Sequence, residues 1–321
     1  MKPSIAVVIP YFQRTPGLLA KALDSVAAQQ VDADLRVVVV DDASPHPAKA
    51  ELAAAAAAPL EVELVEQGNQ GPGGARNAAL DRLSREKTPD FVAFLDSDDR
   101  WRPRHLQRAL DALASRHDVY FSNFFQLGAD VPAFERTNRL VLGSHPPIGG
   151  DETLRSFHGD MLARIVTGNV IGTSTVVYRL PRFPAHRFRT QFRRAGEDYL
   201  FWMSLAAKGA AFCFGTVPMV DYGRGVNVYS SAGWGSDGLA RRLFDEAVYR
   251  RESLRDFSLT EEARTHIRSE LRQISASLAK DVLHRARHAK AVDWRLLAAF
   301  ARARPQWPLD VVASALAPKR R

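Results

Sequence analysis

Residues 91–101 read FVAFLDSDDRW. Five apolar residues give way at once to three acids within four positions, Asp96, Asp98 and Asp99. A short continuous apolar run bounded by polar residues is the pattern of a strand buried on both faces. The same design recurs upstream. The apolar run 5–9 leads into Pro10-Tyr11, and strands are also expected over 35–40, leading into Asp41-Asp42, and over 62–65, leading into Gln67-Gly68-Asn69. Helical stretches separate these runs. Leu18, Leu19, Ala22, Leu23, Val26 and Ala27 repeat at helical spacing behind Thr15-Pro16, which reads as an N-cap and a first-turn proline. An alanine-rich helix over 48–58 ends at Pro59, and 74–83 forms a third helix. Strands alternating with helices predict an α/β fold: a doubly wound, mostly parallel sheet with right-handed crossovers. In such sheets the carboxyl ends of the strands form the crevice where ligands bind. Each polar cluster falls at such an end. Acids gathered there are costly without a positive partner, so the pattern points to a metal-dependent or polyol-binding site.

Composition bounds the remaining possibilities. The 321 residues are 46% apolar and 25% charged, which excludes a largely disordered chain and fits one large domain with or without an appendage. The single cysteine, Cys213, lies in the apolar stretch AAFCFG; it excludes an intramolecular disulfide and a Cys-rich zinc site. No apolar run reaches bilayer-spanning length, and the run near the N-terminus is too short for a signal peptide, so a cytoplasmic protein is expected. The net charge is +8, and residues 240–321 carry 18 Lys+Arg against 10 Asp+Glu, leaving 26 of each in residues 1–239. A neutral body with a basic tail is not a uniformly basic nucleic-acid binder. It suggests a segment that docks on an anionic surface.

The middle of the chain is less regular. A helix is expected over 103–113, a strand over 119–125, loops over 126–168, and a strand over 170–178. Residues 197–207 read as a helix stopped by Gly209, followed by short strands at 211–214 and 217–220 and a flexible Gly/Ser-rich loop at 222–238. From Leu239 the chain reads as helical, with Ile267, Leu271, Ile274, Leu278 and Val282 in one stripe.

Four clusters carry chemistry, each with a structural alternative. Asp96, Asp98 and Asp99 just past a strand end can converge on a hard cation such as Mg²⁺ or Mn²⁺ together with a diphosphate. Alone, such acids would cap a helix ahead of Pro103; the strand context and the third acid favour the metal. Asp41 or Asp42 could accept hydrogen bonds from a base or a ribose, or form a turn before Pro45. The loop 68–77, GNQGPGGARN, has glycines such as Gly71 that let backbone approach a ligand, and Arg76 offers a cation to a diphosphate; it could equally be a surface loop with a helix cap. Glu197-Asp198 opens a helix whose dipole stabilises acids, and the same field keeps a carboxylate ionised, as a general base requires.

Taken in order, VVIPYFQRTPGLLAKALDSVAAQ, VVVVDDASP, GPGGARNAAL, FVAFLDSDDRW and GEDYLFWMSLAAKG strongly resemble family 2 glycosyltransferases with the GT-A fold, over roughly residues 4–230. The resemblance implies a nucleotide-sugar donor bound at the strand ends, a divalent cation (Mn²⁺ or Mg²⁺), and transfer with inversion at the anomeric carbon. It implies that Pro10 and Tyr11 lie near the nucleoside, that Asp42 contacts it, that Asp96 and Asp98 are the metal-binding acids with Asp99 an additional ligand, and that Asp198 is the catalytic base. By family frequency the donor is a UDP-sugar.

Two departures refine this. The QxxRW motif of processive members is absent, which favours addition of a single sugar. The loop at 222–227 has no histidine for the metal, so either Arg224 is expected to face the diphosphate or water to complete the coordination. The expected organisation is a GT-A domain over 1–238, with a nucleotide-sugar half at 1–101 and an acceptor half at 102–238, then a basic helical extension over 239–321. The acceptor is expected to be a glycan or lipid-linked glycan, with no nucleic-acid partner. The extension is expected at an anionic membrane through Trp294, Phe300, Trp307 and the final Lys319-Arg320-Arg321, and its stripe to pack on the catalytic domain or pair a homodimer. Two rivals remain: a silent nucleotide-sugar-binding or scaffold protein, which would be expected to lose these acids, and a sugar nucleotidyltransferase, which would need a Gly-rich triphosphate loop where Pro10-Tyr11-Phe12-Gln13 stands.

Overall fold

The computed structural model describes residues 2–54, 60–85, 88–193, 195–223 and 233–316. By compactness the chain forms two units, Met1–Thr190 with Phe201–Val226, and Gln191–Leu200 with Asn227–Arg321. The stretch 191–200, expected in the acceptor half, thus belongs with the C-terminal helices, and the first unit ends at 226 rather than 238.

The first unit opens with β1 (Ser4–Tyr11), α1 (Leu18–Ala27), β2 (Asp34–Asp41), α2 (Ala48–Ala54), β3 (Val62–Glu66), α3 (Gly71–Arg85) and β4 (Phe91–Phe94). It continues with β5 (Arg100–Trp101), α4 (His105–Leu113), β6 (Val119–Phe125), α5 (Ala133–Thr137), β7 (Pro147–Ile148), β8 (Asp151–Ser156), α6 (Met161–Gly168) and β9 (Val177–Arg179). The helix α7 (Glu197–Ala207) begins in the second unit, and β10 (Phe212–Asp221) completes the sheet. Strand order is β3-β2-β1-β4-β9-β6-β10-β8-β7, with β5 paired to β10. The strands β1 to β4, β6 and β10 all run the same way, while β9 is antiparallel between β4 and β6. This is the expected mostly parallel α/β sheet.

Pairing aligns the functional ends. Tyr11 is opposite Asp41, Asp41 is opposite Glu66, and Val8 is opposite Phe94. The carboxyl ends of β1, β2 and β4 therefore share one edge. Because β5 turns back antiparallel against the end of β10, pairing Trp101 with Val220, the acids at 96–99 lie between the ends of β4 and β10. The aliphatic strand residues Val7, Ile9, Val37, Val39 and Ala93 pack with Leu19, Leu23, Leu106 and Tyr120 in a core without exposed members.

Several local expectations differ. The helix α1 starts at Leu18 after a left-handed Gly17, not at Thr15-Pro16, because the Glu51 carboxylate accepts from the backbone N–H of Gly17 and Leu19 at 2.9 Å and caps it from afar. The helix α2 is described only to Ala54 of the expected 48–58. Residues 170–178 are a 3₁₀ turn, Thr173–Thr175, before the short β9. The two strands at 211–214 and 217–220 are one, β10, with register shifts around Gly215 and Pro218, where proline has no N–H for the ladder. The loop-rich 126–168 holds α5, β7, β8 and α6.

The second unit carries α8 (Asp237–Asp256), α9 (Glu261–Arg287), α10 (Trp294–Ala303) and α11 (Trp307–Leu316), with Ser236, Thr260 and Asp293 capping the first three through their side chains. The stripe Ile267, Leu271, Ile274 and Leu278 is buried, and α8 and α11 both pack on α9. Four of the five stripe residues thus belong to the core of this unit, and Val282 is partly buried. Arg285 is buried between Asp281 (2.8 Å) and Asp237 (3.2 Å), and Arg304 reaches Asp310 at 2.6 Å. Among the described residues no helix is long and apolar enough to cross a membrane.

Candidate active site

The turn after β4 is held from several sides. The Asp96 carboxylate is partly exposed and accepts from Arg76 Nη2 at 2.6 Å. Its backbone N–H donates to Ser174 Oγ at 3.0 Å. The buried Ser97 hydroxyl accepts from Gln13 Nε2 at 2.9 Å. Asp98 is partly exposed. Asp99, only 4% exposed, accepts from Ser174 Oγ at 2.6 Å through one oxygen and from the Gly223 N–H at 2.8 Å through the other. Burial, reinforced by the charges of Asp96 and Asp98, pushes its carboxyl well above the usual range.

Arg76 is buried and lies 5.3 Å from the centroid of the Phe188 ring. Its neighbour Asn77 fixes that segment, donating to Phe188 O and accepting from Phe188 N–H, both at 2.8 Å. The Gly-rich loop is closed by Asp42. The Asp42 carboxylate accepts from Gln67 Nε2 (2.7 Å), Gln70 N–H (2.7 Å) and Gly71 N–H (2.8 Å). Gly71 has φ +81°, and α3 begins there rather than at Gly74. Asp41 does the same for α2, accepting from Ser44 and Ala48 N–H at 2.7 Å.

Pro10 is partly buried at the end of β1. Tyr11 is wholly buried and its hydroxyl donates to Glu51 at 3.0 Å, so burial and that carboxylate raise its pKa. Its side chain joins β1 to the cap of α1. Arg224 and the rest of 224–232 lie outside the described residues, as do Lys319, Arg320 and Arg321.

Asp198 sits in the second unit, in the first turn of α7, partly buried beside an equally partly buried Glu197. Its Oδ1 accepts from the Tyr199 N–H at 2.8 Å. The helix is preceded by Gly196 at φ +100°, where a Cβ would fall 2.4 Å from the Tyr249 ring. Only glycine meets both demands, and it fixes where the acidic pair begins.

The edge of the first unit thus presents the two partly exposed carboxylates Asp96 and Asp98, with a buried guanidinium beside Asp96. Hard oxygen donors of this kind suit Mg²⁺ or Mn²⁺ whose other ligands are phosphate or water. Among the described residues no three His, Cys, Asp or Glu side chains are grouped to hold an ion by themselves. The donor set fits a cation shared with a diphosphate, not a closed protein cage.

Residues 6–180 match Glycosyl transferase family 2. The chain is a family 2 glycosyltransferase. This glycosyltransferase is 34% identical over 256 residues to the succinoglycan biosynthesis protein ExoW of Rhizobium meliloti (strain 1021), covering 76% of each chain. It is 27% identical to the amylovoran biosynthesis glycosyltransferase AmsB of Erwinia amylovora, over 68% of this chain and 69% of that one. Among solved structures its fold resembles S. aureus TarS 1–349 in complex with UDP-GlcNAc (TM-score 0.58, 19% identity, 96% of this chain and 81% of that one). It also resembles the mannosyltransferase PcManGT of Pyrobaculum calidifontis in complex with GDP-Man and Mn²⁺ (TM-score 0.57, 18% identity, 100% and 89%). These likenesses bear out the GT-A-type sheet and the helical C-terminal region.

Ser174, Gly223, Glu51 and Phe188 shape the site without having been singled out by sequence. Glu51 alone left a trace, the one acid in an alanine-rich helix. Ser174 sits in a β-branched stretch that reads as plain strand.

Proposed function

We propose that this glycosyltransferase adds a single sugar, with inversion, from a nucleotide-sugar to a hydroxyl of a glycan or lipid-linked glycan, in synthesis of a bacterial surface polysaccharide. The observation that carries the reading is the pair Asp96 and Asp98 at the carboxyl end of β4, with Arg76 buried against Asp96. Relatives named for succinoglycan and amylovoran biosynthesis support the polymer class. Fold neighbours in complex with UDP-GlcNAc and GDP-Man support a nucleotide-sugar donor; we assign a UDP-sugar.

Asp96 and Asp98 would hold a divalent cation together with the donor diphosphate, and when bound that cation supplies positive charge against the leaving group. Arg76 adds a fixed cation at the same edge. Asp198 takes the proton of the acceptor hydroxyl as its oxygen forms the new bond to the anomeric carbon. The bond from that carbon to the diphosphate oxygen breaks, and its electron pair leaves with the nucleoside diphosphate. General-base help is worth about 10²–10⁴-fold, and positioning and electrostatics supply the rest. The absence of QxxRW supports one addition per binding event.

The basic helical extension after Leu239 is assigned, through its last helices, to the cytoplasmic membrane face. Trp294 (71% exposed), next to exposed Arg295, and Leu309 (71%) are open to solvent, as is Arg302, whereas Phe300 is buried against Trp307. Of the three aromatics expected there, Trp294 is the exposed one. Basic residues near an anionic leaflet contribute about 1 kcal/mol each. Flotation on phosphatidylglycerol vesicles, absent on neutral ones at low salt, is expected; equal recovery on both counts against docking.

The test of the activity is a screen of nucleotide-sugars with Mn²⁺, read as released nucleoside diphosphate. Turnover of a UDP-sugar, lost with chelator, is expected. Release of pyrophosphate from a nucleoside triphosphate and sugar phosphate would instead mark a nucleotidyltransferase.

A further inference from the structure

We propose that Ser174, Asp99 and Gly223 form a clamp that sets the position of Asp96 and Asp98, with Asp99 a positioning residue that binds neither metal nor diphosphate. The proposal rests on the reading of Asp96 and Asp98 as the donor-binding acids.

A chain of hydrogen bonds runs through the clamp. The Asp96 N–H donates to Ser174 Oγ (3.0 Å), and the Ser174 hydroxyl donates to Asp99 Oδ2 (2.6 Å). The Gly223 N–H donates to Asp99 Oδ1 (2.8 Å). The turn 96–99 is therefore fastened at both ends to one side chain, and its far end is fastened again to the chain leaving β10. Ser174 is itself fixed, because its carbonyl accepts from the buried Trp101 indole at 2.7 Å. Bonds in such a chain polarise one another, and truncating one member loosens the rest.

The chain after β10 is held against this turn by shape as well. Tyr222 stacks on Phe124 with ring centroids 4.6 Å apart, and a Cβ on Gly172 would fall 2.1 Å from the Tyr222 hydroxyl. A Cβ on Gly223 would fall 1.6 Å from the Asp98 carbonyl oxygen. Glycine at 172 and 223 is thus what lets the end of β10 close on the acids. Asp98 lies in the middle of a turn whose two ends and one face are fixed.

Burial decides against Asp99 as a ligand. Mg²⁺ and Mn²⁺ in nucleotide sites keep waters or phosphate oxygens around them and need room. Asp99 is 4% exposed, with each oxygen already accepting a protein donor. Asp96 and Asp98 are the partly exposed members of the set.

The test compares Asp98→Asn, Asp99→Asn, Asp99→Ala and Ser174→Ala by calorimetric titration of UDP and GDP at varied Mn²⁺, with circular dichroism for folding. Asparagine can keep both clamp bonds, accepting from Gly223 and donating to a rotated Ser174 hydroxyl. The clamp predicts that Asp99→Asn stays within about threefold of wild type in Mn²⁺ requirement, while Asp99→Ala and Ser174→Ala bind the nucleotide about tenfold more weakly at saturating Mn²⁺. Rescue by asparagine is the signature of positioning. If Asp99→Asn raises the Mn²⁺ requirement as much as Asp98→Asn does, Asp99 is a ligand and the clamp is overturned. Undiminished binding in Ser174→Ala overturns it too, since freeing the carboxylate of a ligand would not weaken the site. An unchanged Mn²⁺ requirement in Asp98→Asn sinks instead the underlying metal reading, a separate failure.

Discussion

Arg76 Nη2 lies 2.6 Å from Asp96 Oδ1, with the guanidinium buried and Asp96 partly open. The acid that opens the DxD motif is therefore charge-compensated by the helix that follows β3. The cation does two things at once. It offsets the cost of placing acids at one strand edge, and it stays beside the place where a diphosphate would arrive.

Arg76→Lys keeps the charge but loses the planar contact with Phe188 and the fixed reach to Asp96. Binding of UDP with Mn²⁺ is expected to weaken several-fold in Arg76→Lys and by tenfold or more in Arg76→Gln. Losing a charge-assisted bond costs about 1.5–3 kcal/mol. Calorimetry with UDP measures it. Equal affinity in Arg76→Gln and wild type would remove Arg76 from the donor site.

Asp42 makes a claim on stability as well as on the donor. Its carboxylate accepts two backbone N–H groups at the start of α3 and the Gln67 side chain. Asp42→Ala is expected to cost about 1–3 kcal/mol without any nucleotide present, from the lost cap and the donors left behind. Urea unfolding of the nucleotide-free protein checks this. A residue that contacted only the nucleoside would leave that curve unmoved.

These acids also mark what sequence could and could not convey. The apolar runs of β1, β2 and β4 are local signals, and their polar ends fall where the pattern puts them. The helix start at Gly71 and the delayed start of α1 depend on Asp42 and Glu51, acids 29 and 34 positions from the N–H groups they accept. Ser174 lies 75 positions from Asp99 and 78 from Asp96. No local periodicity encodes such partners, because side-chain bonds of this span exist only once the sheet has brought β4 and β9 side by side.

Acid should destabilise the fold through buried histidines. Burial lowers the pKa of His105 to about 3, where it is packed by Trp101 and Tyr120, and that of His186 to about 4. The unfolded chain protonates both near 6.5. Between those values the unfolded state binds more protons, so stability is full above pH 6.5 and falls as pH drops. The slope is at most about 1.4 kcal/mol per pH unit for each ring. In His105→Phe the loss between pH 6.5 and 5, followed by urea unfolding, is expected to be smaller than in wild type. An unchanged slope would mean that the ring charges without cost.

The base assignment has the sharpest test. Asp198 and Glu197 both lie in the first turn of α7, where either acid is favoured by the helix dipole, and both are partly buried. Structure alone treats them alike, so the two substitutions must separate them. Asp198→Asn keeps the size of the side chain and an oxygen that can accept the Tyr199 N–H, so the fold should be preserved. An amide cannot take a proton from an acceptor hydroxyl. Transfer to a known acceptor should therefore fall by about 10²-fold or more while nucleotide-sugar affinity stays within a few-fold. Glu197→Gln, one residue away and pointing elsewhere on the helix, should lose far less. The measurement is transfer rate, donor affinity and thermal midpoint for each variant. Near-normal turnover in Asp198→Asn, or a larger loss in Glu197→Gln, would falsify the role given to Asp198.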